Sequence, residues 1–268
     1  MSYYFIFIIN FIDWRWVLLF TILLLCFAGF LAAIIDAIAG GGGLITIPAY
    51  LMAGVPPHMA LGTNKLCATC SSLTSCFNFA QSGKVNLNIF KILAPFSLVG
   101  AILGVNAVMG INAKYLNIIV LILLVIVALF TIFCKNIGLK NNFHGLNKKN
   151  ILFGILLSFS MGFYTGFFGP GTGAFMMIGL IGVFKFDFIG ASGNSKSLSA
   201  ISNLASLILF AIHGQINYKL AIPVSLSMII GAKLGTKMAL NKGSKIIKPV
   251  FTAISLLIAI KVLYQTII

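Results

Sequence analysis

The chain has 268 residues, 60% of them hydrophobic and 8% charged, with 18 Lys and Arg against three acidic residues and a net charge of +15. Mean hydropathy is +1.11 and apolar runs of about 20 residues recur, which excludes a soluble globular domain and indicates an all-α, polytopic membrane protein. In that solvent the positive charge reads as loop lysines facing anionic lipid on the cytoplasmic side of the cell membrane, not as a nucleic-acid surface.

Ten hydrophobic pieces follow in chain order, roughly 17–38, 44–54, 59–81, 89–110 and 114–134, then 151–168, 173–184, 188–212, 219–240 and 247–267. The first is too long for the core of a signal peptide and is followed by many like it. The stretch from Lys135 to Asn150 is the longest polar one and reads as a loop. Cys26, Cys67, Cys70, Cys76 and Cys134 all fall in predicted spans. Cys67 and Cys70 have CxxC spacing, but no second Cys or His pair completes a zinc site, so small residues packing a helix explain them.

The chain repeats itself. "ALGTNKLCATCSSLTSCFNFAQSGKVN" from Ala60 and "ASGNSKSLSAISNLASLILFAIHGQIN" from Ala191 align at an offset of 131, which pairs Gly62 with Gly193, Lys65 with Lys196, Ser71 with Ser202 and Asn86 with Asn217. The same offset pairs Gly100 with Gly231 and Gly104 with Gly235. Upstream, with two residues of slippage, "AGGGGL" from Ala39 meets "FGPGTG" from Phe168. Two membrane repeats, 1–140 and 141–268, are expected to form one integrated transmembrane domain.

The second piece of each copy is short. Eleven or twelve helical residues reach about 17 Å, roughly half of a hydrocarbon core near 30 Å. Pro48 is expected to open the first of these short helices, because proline favours the first turn, and Pro56-Pro57 to stop it. If the short pieces cross, there are ten crossings and the copies are inverted; if they are re-entrant, there are eight and the copies are parallel. With ten, eleven basic residues share one side and Arg15, Lys114, Lys219 and Lys261 the other; with eight the same fifteen divide nine to six. The positive-inside rule thus favours ten crossings with both termini outside.

Repeat-built transporters hold substrate where broken helices expose backbone at the repeat interface. Gly40, Gly41, Gly42 and Gly43 mark that break in one copy, and Gly169, Pro170, Gly171 and Gly173 in the other. Glycine lets backbone come close to a ligand, and free N–H groups at a helix start attract an anion; the competing explanation is tight helix packing. Lys65 and Lys196, flanked by Asn64 and by Asn194, are intramembrane cations at matching positions, and such residues normally face a cavity or a partner. Snorkelling to the headgroups is the alternative. Asp36, the one acidic residue within a span, could neutralise Lys65 or carry a coupling proton. Ser71, Ser72, Asn78, Ser202 and Asn203 could add hydrogen bonds to a substrate or stitch helices together.

With no glutamate and three scattered histidines, no carboxylate pair, HExxH, nucleophile elbow or complete P-loop can be assembled, so neither an enzyme nor a cofactor or metal site is expected. "IDAIAGGGGLITIPAYLMAG" followed by "ALGTNKL", and "GFYTGFFGPGTGAFMM" followed by "KSLSAISNLASLILF", resemble the TauE/SafE family of membrane permeases, over residues 17 to 266. The resemblance implies transport of small, often sulfur-containing anions such as sulfite, sulfonates or sulfoacetate, usually outward across the cytoplasmic membrane. Members of that family carry an aspartate where the second copy here has Thr165, which sets Asp36 apart. A passive anion channel, or a permease for an unrelated solute, is the alternative on sequence.

Overall fold

The computed structural model describes residues 2–133, 141–143 and 145–242. Among them are nine α-helices and no strand: α1 (Ser2–Ala39), α2 (Gly43–Met52), α3 (Pro57–Gln81), α4 (Leu87–Met109), α5 (Ala113–Phe133), α6 (Lys148–Phe167), α7 (Thr172–Phe184), α8 (Phe188–Ile212) and α9 (Tyr218–Lys242). The piece expected at 247–267, Cys134, and the loop lysines Lys135 and Lys140 lie outside the described residues. Within them, Leu18–Ala39, Leu87–Met109, Lys148–Phe167, Phe188–Ile212 and Tyr218–Asn241 are long and apolar enough to cross a membrane. The protein is therefore a multi-pass, all-α membrane protein.

Local chemistry sets most helix starts. The side chains of Asn86, Asn147 and Asp187 accept N–H groups from the first turns of α4, α6 and α8, and Asn217 accepts from Leu220 before α9. Each such acceptor satisfies an N–H that the helix itself cannot. Pro57 opens α3, where its missing N–H costs nothing. The apolar piece expected at 17–38 is the span Leu18–Ala39, within a helix that begins at Ser2. One expectation is corrected. α2 begins at Gly43 and carries Pro48 in its interior; burial of Leu44, Thr46 and Ile47 holds the turn ahead of the proline helical, against its local preference.

The two short helices fold back. Gly42 lies against Ala32 and Asp36 of α1, while Tyr50, eight residues on, shares a buried cluster with Leu25, so α2 runs antiparallel to α1. Likewise Gly179 of α7 meets Leu157 and Phe184 meets Gly154, which places α7 antiparallel to α6. The tips of these hairpins touch inside the bundle: a Cβ at Gly40 would stand 2.3 Å from the backbone nitrogen of Ala174, and that N–H donates to the Gly40 carbonyl at 3.3 Å.

Glycine seams bind the long helices. Added Cβ atoms at Gly100 and Gly104 of α4 would lie 2.2 and 2.1 Å from the Phe159 and Phe163 carbonyl oxygens of α6. At Gly231 and Gly235 of α9 they would lie 2.3 and 2.5 Å from those of Phe30 and Ile34 in α1. Main chain therefore rests on main chain along both seams, the close approach that small residues permit in a bilayer. α3 and α8 run antiparallel, each start docked on the turn that follows the other. Thr63 accepts the Asn217 N–H at 3.0 Å, and Asn194 accepts the Asn86 N–H at 2.9 Å.

Candidate functional site

The hairpin tips and the first halves of α3 and α8 enclose a cavity. It offers about 40 Å³ to the centres of water-sized molecules, room for a few waters or one compact solute. Its floor is glycine backbone, Gly40, Gly42 and Gly43 from one tip and Gly169, Gly171 and Gly173 from the other. Gly171 has φ +79°, which only glycine adopts without strain, and it opens α7. Gly42, by contrast, has φ −57°. What excludes a side chain there is space, since a Cβ would stand 2.7 Å from the Ala32 oxygen and from the Asp36 Cβ. Neither α2 nor α7 has a side-chain cap; main chain takes that place, the Leu44 and Ile45 N–H groups donating to the Gly41 and Gly42 carbonyls and the Thr172 and Ala174 N–H groups to those of Gly169 and Gly171.

The walls come from one face of α3 and one face of α8. Lys65, Ala68 and Ser72 line the cavity from α3, and Lys196, Ser199 and Asn203 from α8. Both sets follow i, i+3, i+7 spacing, a single stripe of a helix. Asn64 also lines it and accepts a 2.6 Å hydrogen bond from Thr46.

Charge is distributed unevenly. Lys65 and Lys196 are 1% and 2% exposed. The Lys196 ammonium meets the Asp36 carboxylate at 2.6 Å, and the other Asp36 oxygen accepts the Gly42 N–H at 3.3 Å. The Lys65 ammonium donates to the main-chain carbonyl of Thr165 and approaches Gly169. Asp36 thus serves Lys196 rather than Lys65.

The sequence model of the sulfite exporter TauE/SafE family matches residues 23–262. This chain belongs to the sulfite exporter TauE/SafE family. Among its relatives, a Haemophilus influenzae protein described as a "Probable membrane transporter protein" is 38% identical over 237 residues, covering 88% of this chain and 92% of the relative. A probable membrane transporter protein of a Sinorhizobium species is 37% identical, covering 88% and 90%. The Escherichia coli K12 probable membrane transporter protein YfcA is 32% identical, covering 90% and 89%. No solved structure matches.

In this TauE/SafE protein the residues expected at the site divide. Asp36, Gly40, Gly42, Gly43, Asn64, Lys65, Gly169, Gly171, Gly173, Lys196 and Asn203 line one cavity. Gly41, Pro170, Ser71, Asn194 and Ser202 stand outside its lining. Pro170 packs on Gly43. Ser202 donates to carbonyls of its own helix, and Asn194 ties the start of α8 to the turn before α4. Ser71 is buried, and its hydroxyl has no partner among the described residues. Sequence reasoning passed over four lining residues, Ala68, Thr172, Met228 and Ser199; the buried Ser199 hydroxyl has no partner among the described residues. Counting one helical turn on from Lys196 would have found Ser199. Thr165 and Thr172 complete the second tip; their side chains donate to Met161 and Gly169 carbonyls.

Proposed function

We propose that this protein is a secondary transporter of small anions in the cytoplasmic membrane, with sulfite, in its monovalent hydrogen sulfite form, and related sulfonates as its cargo. The observation that carries this reading is the convergence of two buried lysines, one from each half of the sequence, on a cavity floored by two glycine breaks. Ammonium groups and the Ser199 hydroxyl, which has no partner among the described residues, suit an oxyanion, and a buried cation in a membrane protein marks a solute path. The family's description as sulfite exporters supplies the sulfur chemistry. We read the halves as inverted copies. The seam of α4 on α6 recurs as that of α9 on α1, and the matched starts of α3 and α8 dock at opposite ends of an antiparallel pair.

The test is flux in proteoliposomes. Purified protein should move radiolabelled sulfite and methanesulfonate, with a rate that responds to an imposed proton or sodium gradient. Flux indifferent to both gradients would make it a channel. Rates equal to those of empty liposomes for both solutes would refute anion transport.

A further inference from the structure

We propose that the cavity selects a monovalent tetrahedral oxyanion over a divalent one of the same size, and that Asp36 sets this preference; the proposal rests on the anion-transport reading above. Three fixed charges border the cavity, Lys65, Lys196 and Asp36, and its other lining residues are neutral. Asp36 stands 2.6 Å from Lys196 and cancels it. The position of Asp36 against Lys196 is taken, for Lys65, by Thr165, whose carbonyl accepts from the ammonium but carries no charge. The chain has only two other carboxylate side chains, Asp13 and Asp187. Asp13 lies in α1, 23 residues before Asp36, or about 35 Å along the helix, and Asp187 caps α8 through the Gly190 N–H. Lys65 is therefore a buried cation with no carboxylate partner among the described residues.

Helix dipoles do not alter this count. α2 and α7 start at the cavity, but α1 and α6 end there, so positive and negative helix ends offset one another. The net fixed charge is one positive unit. A monovalent anion neutralises it, whereas a divalent anion leaves one negative charge in a site of low polarity, where an unpaired charge is heavily penalised.

Methanesulfonate and sulfate are tetrahedral, similar in size, and differ by one charge. Isothermal titration of the purified protein in nanodiscs with each anion should show methanesulfonate bound about tenfold or more tightly. Asp36→Asn raises the cavity charge to two and should reverse the order. Thr165→Asp gives Lys65 a counter-charge and should weaken methanesulfonate binding by about tenfold or more. Sulfate binding as tightly as methanesulfonate to the wild type, or an unchanged ratio in Asp36→Asn, overturns the proposal. Should Asp36→Asn fail to insert, methanesulfonate binding at wild-type strength in Thr165→Asp overturns it equally. A wild type that moves and binds neither anion removes the transport reading itself, an outcome distinct from a preference of the wrong order.

Discussion

Methionine at position 196 and methionine at position 65 should fail in different ways, although both remove a buried lysine from the same cavity. Lys196→Met strips the partner from a carboxylate. Breaking a buried ion pair from one side costs about 3–5 kcal/mol, because the remaining charge is left uncompensated. The Asp36 side chain is 22% exposed and keeps the Gly42 N–H, while that of Lys196 is 3% exposed, so the lower figure, about 3 kcal/mol, is expected. Lys65→Met removes an ammonium that faces no carboxylate, and the freed Thr165 carbonyl is a smaller loss than the burial of the charge. Its folded state should be as stable as the wild type or more so, while flux falls close to the background of empty liposomes. Methionine preserves most of the stem's volume in both cases. Thermal denaturation in detergent should place Lys196→Met clearly below Lys65→Met, and adding Asp36→Asn to Lys196→Met should recover most of the difference. Lys233→Met is the control, since that lysine is exposed and lines no part of the cavity. A Lys196→Met protein that melts with the wild type, or a Lys65→Met protein that melts below it, would refute the charge assignment.

The glycine floor makes a second prediction: Gly40→Ala and Gly171→Val should abolish proteoliposome flux while inserted protein remains detectable by immunoblot. The first forces a methyl against the Ala174 backbone at 2.3 Å, and the second places a β-branched residue at φ +79°. Normal flux in both would reduce these glycines to packing. The inverted arrangement makes a third, in a cysteine-free background and intact cells. A cysteine at Ser82, in the turn before α4, should resist an impermeant thiol reagent, and one at Lys114, at the start of α5, should react. Labelling at Ser82 from outside would sink the inverted topology.

The sequence exposes the helices and the two breaks because both are written in long patterns, apolar runs interrupted by glycine at matching offsets. Positions in the cavity lining were legible where the repeat pointed at them, as with Lys65 and Lys196. They were illegible where helical register decides. Ser71 and Ser202 match across the copies yet lie off the stripe of Lys65–Ser72 and Lys196–Asn203, and Ser199 matches an alanine, Ala68, yet lies on it. Nor could the sequence assign Asp36 to Lys196, since the two are 160 residues apart and meet only because the α1–α2 hairpin folds back beside α8. Pro48 misled because propensity ranks it as a helix opener, whereas burial of the preceding turn decides the matter.

A floor made of touching main chain divides the site into what substitution can change and what it cannot. Any side chain added at Gly40 collides with the opposite tip, so the floor offers natural variation almost no chemistry to exchange. Adaptation to a new solute is left to the walls: the paired positions 36 and 165, which set charge, and the stripes 68–72 and 199–203, which set polarity and room. On the transport reading proposed above, two relatives with identical glycine breaks can carry different cargoes, and an engineer who wants a new specificity should spend mutations on those few wall positions and none on the breaks.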